Sequence, residues 1–213
     1  MELNFHKPIL IARCSQYYLI PDLISTLSKR AKDAFIFYLY TDLYIDHELQ
    51  EEDKKQLTTV SQELELGELM KLIDGEVAEK TLSKDLERIF DEQIECDFQI
   101  IKDKKSLGCH KCILASRSKY FFKLFENDPN CTSLTDTSSR SYNTLFNFIK
   151  YFYSDSCDQI DTEIAKELLG TYNEYGLKSR NLEIFCMSLL EQNGIMFEMP
   201  KKLEEKEKEK EKN

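Results

Sequence analysis

Apolar residues in this chain fall mostly into short helical stripes separated by charge and turn-forming residues. Residues 7–13 are nearly all apolar, and an amphipathic continuation runs through Tyr17, Tyr18, Leu23, Ile24 and Leu27. Pro21 must sit near a helix start or break, because it cannot donate an interior helical hydrogen bond. Ala34 to Tyr40 is dense in aromatics and reads as a buried helix, although so short an apolar run also suits a strand. A polar stretch from Asp46 to Lys55 reads as a loop. A helix carrying Leu57, Val60, Leu64 and Leu66 follows, then a short one through Leu69 and Leu72. From Thr81 to Gln93, Leu82, Leu86, Ile89 and Phe90 recur at i, i+4, i+7 and i+8, which places them on one helix face.

The pattern then changes. Cys96 to Ile101 has the β-formers of a strand, Lys102-Asp103-Lys104-Lys105 a turn, and Ser106 to Cys109 a second strand, together predicting a hairpin. A helix starting at His110 or Lys111 carries Ile113, Leu114, Tyr120, Phe121, Leu124 and Phe125. Asn127-Asp128-Pro129-Asn130 ends it. Thr132 to Thr135 is a short strand candidate. Helices are predicted at about 141–153, 162–175 and 182–192, the last two joined at Gly176.

Two stretches of this pattern repeat. His6-Lys7-Pro8-Ile9-Leu10-Ile11-Ala12-Arg13-Cys14 returns as His110-Lys111-Cys112-Ile113-Leu114-Ala115-Ser116-Arg117-Ser118. Phe35-Ile36-Phe37-Tyr38-Leu39-Tyr40-Thr41-Asp42 returns, in the same order, as Phe148-Ile149-Lys150-Tyr151-Phe152-Tyr153-Ser154-Asp155. Two ordered matches predict two copies of one folding unit and favour a paired binding module over a single enzyme domain.

Composition narrows the function. The 213 residues are 41% hydrophobic and 32% charged, enough for a core in each of two domains. A formal net charge of −10 argues against nucleic acid or an anionic membrane surface as the partner. No apolar run approaches the ~20 residues of a membrane span, and the first residues lack a signal-peptide pattern. Seven cysteines, an odd number set mostly in apolar company, point to free thiols and an intracellular protein of the cytoplasm or nucleus. Residues 201–213 alternate Glu and Lys, and are expected to be solvated helix or disorder.

Several residues carry a resemblance. Asp97-Phe98-Gln99-Ile100, the run Leu107 to Ser118, and the pairs Tyr120-Phe121 and Leu124-Phe125 resemble the BTB/POZ domain, in which an Asp-led strand and a hairpin lead to a His-Lys helix start. Phe148 to Asp155 resembles that family's aromatic helix end, and Glu163 to Leu190 its closing helix pair. The resemblance covers about Leu82 to Gln192. The first copy, from Phe5 to about Leu72, has no sequence for the Asp-led strand. It is also 9 positions shorter inside: 29 from His6 to Phe35 against 38 from His110 to Phe148. It is expected to be a module whose front was cut off, with a naturally reduced module as the other reading. The resemblance thus implies an α+β, mostly helical fold with a small β-sheet flanked by helices, preceded by a partial helical copy. Expected boundaries are 1–78 for the partial module, 79–194 for the BTB/POZ domain and 195–213 for the charged tail.

Chemistry of other kinds has weaker support. Cys109-His110-Lys111-Cys112 has the C-x-x-C spacing of zinc or thiol redox sites. A structural zinc needs four ligands, and no second Cys/His pair stands at suitable spacing. His110 and His6 lack the Ser, Cys or acidic partners of a triad, and no phosphate-binding glycine loop is present. The reading is therefore no catalytic residue, no metal and no cofactor.

Function follows from the resemblance: a non-catalytic protein–protein interaction module whose partners are another BTB domain and a cullin scaffold of a RING ubiquitin ligase (cullin three in this family). The helix-end residues Phe125, Glu126 and Tyr153, with Tyr40 as the first copy's equivalent, are the implied partner-helix surface. Leu82, Leu86 and Phe90 lie where the family has its dimerisation helix. That helix is expected either to pair chains into a homodimer or to pack on the first copy within one chain. The competing reading is the C-terminal tandem piece of a larger regulatory protein behind GTPase-like, kelch or ankyrin regions, acting as an oligomerisation scaffold.

Overall fold

The computed structural model describes residues 6–157, 160–177 and 180–196. It separates into two compact units, Met1–Ile100 with Gly108–Cys112, and Ile101–Leu107 with Ile113–Asn213. Almost all of the expected Glu/Lys tail lies outside the described residues.

In the first unit, α1 (Lys7–Arg13) is followed by a 3-10 turn (Tyr17–Leu19) and α2 (Ile20–Ser25). Both helices carry proline in the first turn, where its missing N–H removes no helical bond. The ambiguous aromatic run is helical: α3 (Lys29–Thr41) starts where Ser28 Oγ accepts the Ala31 N–H at 3.1 Å and ends at Asp42 in the left-handed region. The loop expected through Lys55 stops sooner, since α4 (Glu51–Glu63) is nucleated by a capping box. There the Asp53 carboxylate accepts the Gln50 N–H at 2.9 Å, while acidic residues 51–53 suit the positive end of the helix dipole. Helix α5 (Gly67–Ile73) packs against α4, and α6 (Leu82–Asp91) lies on α1 and α3. The core is aliphatic and aromatic, with Phe35, Leu39, Leu57 and Leu69 excluded from solvent.

Strands β1 (Phe98–Lys102) and β2 (Lys105–Cys109) form the expected hairpin, shifted by one or two residues. Asp103 and Lys104 both take positive φ, the geometry of a two-residue turn matched to strand twist. Gly108 allows a close approach, because a Cβ there would meet Gln93 Oε1 at 2.5 Å and Cys96 Sγ at 2.8 Å and force those side chains to shift. The hairpin's open end belongs to the first unit and its tip to the second. Strand β3 (Ser133–Thr135) completes a sheet of order β2-β1-β3.

One helix predicted from His110 is two, α7 (Lys111–Arg117) and α8 (Lys119–Asn127). Ser118 breaks them: extended, it caps α8 by accepting the Phe121 N–H, while its hydroxyl donates to the Tyr175 carbonyl at 2.6 Å. Helices α9 (Tyr142–Ser154), α10 (Thr162–Tyr175) and α11 (Asn181–Gln192) follow close to the expected ranges. Gly176 ends α10 at φ 57°. In this unit α10 packs on α8, α9 and α11. Phe121 stacks on Tyr175 at 5.2 Å, with Phe148 and Phe152 close behind. The fold is α+β and mostly helical, as expected.

The repeated sequence produces repeated local structure. Helices α3 and α9 each have 13 residues, start at a capping serine (Ser28, Ser141) and end at a left-handed aspartate (Asp42, Asp155). In each case that aspartate pairs with the arginine ending the earlier helix, Arg13 with Asp42 and Arg117 with Asp155.

Candidate partner-binding surface

Helix α8, Lys-Tyr-Phe-Phe-Lys-Leu-Phe-Glu-Asn, places aromatic residues on both of its sides. Phe121 is fully buried, and Phe125 stacks on it at 6.0 Å while remaining half-buried. One position further round the helix, Phe122 is 51% exposed, next to exposed Lys119, Lys123 and Glu126. Tyr120, 39% exposed, packs edge-on to Tyr175 at 5.0 Å. Behind it the buried Arg140 guanidinium lies 5.2 Å from the Tyr175 ring centroid and pairs with Glu174. Burial pushes the Tyr175 phenol well up, so the ring stays neutral in this cluster. The start of α8 is fixed by the Lys119 N–H, which donates to the Gly176 carbonyl at 3.1 Å. Exposed aromatic surface on a fixed helix costs little ordering entropy when a partner covers it.

The expected site residues differ in how far they reach solvent. Phe125 and Glu126 lie on α8, half-buried and exposed respectively. Tyr153 does not face solvent: it is fully buried, because α9 is enclosed on nearly every side. Its inclusion as a partner contact is corrected on that ground. Tyr40 is half-buried, and its hydroxyl accepts the His6 backbone N–H at 3.2 Å. Leu86 and Phe90 are buried and Leu82 half-buried.

The reason for that last burial is visible in the first unit. Arg13 Nη2 meets Asp42 Oδ1 at 2.5 Å, while its Nη1 donates to Asp85 Oδ2 at 2.7 Å and Thr81 Oγ1 at 2.6 Å. Its guanidinium also lies over the Tyr38 ring at 4.9 Å. Asp42 Oδ2 accepts the Leu82 N–H at 2.7 Å, and Arg88 Nη2 donates to the carbonyls of Ile11 and Ala12. Helix α6 is thereby tied at both ends to α1 and α3. Within the chain, α6 packs on α1 and α3.

His110 is wholly buried with Nε2 2.8 Å from the Ile94 carbonyl, which can only accept, so Nε2 carries the proton. Burial lowers its pKa, leaving a neutral residue that ties the hairpin's exit to the end of α6. Cys109 is buried, which pushes its thiol well up and away from thiolate chemistry. Among the described residues no cluster of three His, Cys, Asp or Glu is placed to hold a metal. All seven cysteines are free. No helix among the described residues is long and apolar enough to cross a membrane.

Phe122 is the residue that the sequence reading passed over. The signal was available: it stands 100° round the helix from buried Phe121, off the stripe that Phe121 and Phe125 define.

Comparison with known proteins bears on the same region. The BTB/POZ domain model matches residues 86–193. Protein maternal effect lethal 26 of Caenorhabditis elegans is 28% identical over 119 residues, 54% of this chain and 30% of that protein. The Kelch repeat protein M-T8 of Myxoma virus (strain Lausanne) is 32% identical over 65 residues, 30% of this chain and 12% of that protein. The chain thus spans less than a third of the length of either curated relative. Among solved structures, the BTB domain of zebrafish PATZ1 aligns with a TM-score of 0.43 at 19% identity, covering 52% of this chain and 91% of that one. The BTB domain of human Gigaxonin gives 0.42 at 18% identity, with coverages of 53% and 93%.

Proposed function

Because residues 86–193 match the family's model, the chain belongs to the BTB/POZ family, and we propose that it is a non-catalytic adaptor that receives a partner helix on the outer side of α8. BTB domains are in general protein–protein interaction modules. The observation that carries the adaptor reading is the exposure of Phe122 and Tyr120 on a helix held rigidly from behind. Phe122, the half-buried Phe125 and Glu126 form the contact, with Lys119 and Lys123 favouring acidic residues on the partner. The family resemblance makes a cullin scaffold of a RING ubiquitin ligase the first partner to test.

The experiment is a pull-down of cullin three with wild-type protein and with Phe122→Ala and Phe125→Ala. Binding that the Phe122 variant loses while keeping its circular dichroism spectrum supports the adaptor reading. Absence of wild-type binding at micromolar concentration removes the cullin and leaves an interaction module with another partner.

A second reading is a tandem scaffold: a partial BTB-like module at 1–78, the BTB/POZ domain at 79–194 and a charged tail at 195–213, as part of a larger regulatory protein. Its support is the matched serine caps, left-handed aspartates and Arg–Asp pairs of α3 and α9. In-frame coding upstream of Met1 for an Asp-led strand would establish it. On this reading α6 is satisfied by α1 and α3, so sedimentation at tens of micromolar is expected to give a monomer. A dimer would return Leu82, Leu86 and Phe90 to inter-chain use.

A further inference from the structure

The acidic charge of this chain is not evenly spread. Residues 1–100 contain 21 Asp and Glu against 11 Lys and Arg, whereas residues 101–213 contain 18 of each. The whole formal excess of negative charge thus falls in the first hundred residues, where the first unit also opens a cleft. Helix α3 turns Arg30, Asp33, Ala34 and Phe37 to one side at i, i+3, i+4 and i+7, and the segment after Asp42 faces them with Ile45, Glu48 and Leu49. The cleft holds about 220 Å³, below the ~300–1,000 Å³ of small-molecule sites. That volume suits one bulky side chain of a peptide rather than a metabolite. Ala34 creates the space, since a longer residue at that helix position would fill it.

Polarity at the rim is one-sided. The Arg30 Nε donates to Asp53 Oδ2 at 2.9 Å, so this half-exposed guanidinium is paired toward α4. Asp33 makes no ion pair among the described residues, and the cationic neighbour of Glu48 is His47 at 3.7 Å, charged only when protonated. Two exposed carboxylates therefore flank an apolar slot. The segment opposite α3 is tied locally at two points. Thr41 Oγ1 accepts the Leu43 N–H at 3.1 Å, and Lys54 Nζ reaches Asp46 at 2.8 Å. On the segment so held, Leu43 is 46% exposed and Ile45 36%. We propose that this cleft binds a peptide segment of a partner protein, seating one leucine-like side chain between Ala34, Phe37 and Ile45 with flanking Lys or Arg residues against Asp33 and Glu48.

The probe is a fluorescein-labelled peptide, Gly-Ser-Arg-Lys-Leu-Lys-Arg-Ser-Gly, titrated with the full chain and followed by anisotropy and by amide chemical shifts. Saturation below about 1 mM is expected, with the largest shifts at residues 33–37 and 45–49. Ala34→Leu should abolish binding by filling the slot. Since that change also risks overpacking α3, the surface double variant Asp33→Lys/Glu48→Lys is tested beside it and should weaken binding about tenfold at low salt. Replacing the peptide's leucine by serine should abolish saturation. The proposal is overturned by no saturation below about 1 mM, by binding that the double variant leaves unchanged, or by equal binding of the serine peptide, which would reduce the interaction to unspecific charge attraction.

Discussion

The two Arg–Asp pairs offer a controlled comparison, because the same two residue types join equivalent helix ends in different surroundings. Arg13 and Asp42 have side chains only 2% and 5% exposed, while Arg117 and Asp155 are 33% and 42% exposed. Replacing Arg13 by methionine keeps an apolar stem in place but leaves the Asp42 carboxylate buried without its cation. Removing one member of a buried pair costs about 3–5 kcal/mol, chiefly through the orphaned charge. Loss of the contacts to Asp85, Thr81 and the Tyr38 ring acts in the same direction. The Arg117 pair is bidentate, at 2.6 and 2.7 Å, yet water and ions screen it, so Arg117→Met should cost no more than about 1 kcal/mol. Urea unfolding by circular dichroism measures the difference, and hydrogen exchange at the amides of α1 and α6 locates it. Adding Asp42→Asn to Arg13→Met should recover part of the loss, since the asparagine amide oxygen can still accept the Leu82 N–H. If Arg117→Met proves as damaging as Arg13→Met, burial is not what gives the first pair its weight, and the account of how α6 is held fails.

Three further outcomes are expected. Phe121→Ala should destabilise the protein by about 3–5 kcal/mol through the cavity it leaves, whereas Phe122→Ala, at an exposed position, should stay within about 0.5 kcal/mol; thermal or urea midpoints separate them. In native protein Cys96, Cys112 and Cys131 should react with a thiol reagent well before Cys14, Cys109, Cys157 and Cys186. Burial withholds the latter four and pushes the Cys14 and Cys186 thiols up to about 12, a pattern that mass mapping of early adducts can read. The Asp53 carboxyl is held below its usual value, first by the Ser28 hydroxyl and then by the Gln50 amide. Its stabilisation is therefore complete above the ordinary aspartate pKa near ~3.9 and is lost as pH falls through the lower folded value. The stability gap between wild type and Asp53→Asn should accordingly be open at pH 6 and narrow steadily below about pH 4; a gap that widens with acid would contradict the assignment.

Local code carried much of the architecture. The helical stripe of α6, the hairpin with its charged turn, and the stops at Asn127 and Gly176 all follow from periodicity and turn chemistry, which neighbouring residues decide. Two boundaries did not. The α4 start depended on a side chain folding back to Gln50, and the α7–α8 break on Ser118 finding the Tyr175 carbonyl 57 residues away. The proposed partner surface divides in the same way: Phe125 and Glu126 are residues to which the resemblance points, whereas the exposure of Phe122 and the burial of Tyr153 depend on what packs around α8 and α9.

By itself, then, the sequence determined the element types, the repeated helix-and-cap pattern and the BTB/POZ resemblance of its second half, because short-range propensity and motif spacing encode these. Only the tertiary structure decided which apolar faces were spent and which were left. The face of α6 is covered by α1 and α3, and a buried arginine ending α1 ties the three together through the aspartate that caps α3 and another on α6. The outer side of α8 stays open because its opposite side already satisfies Phe121 against Tyr175. Burial is a property of three-dimensional neighbours, and no residue's own identity carries it.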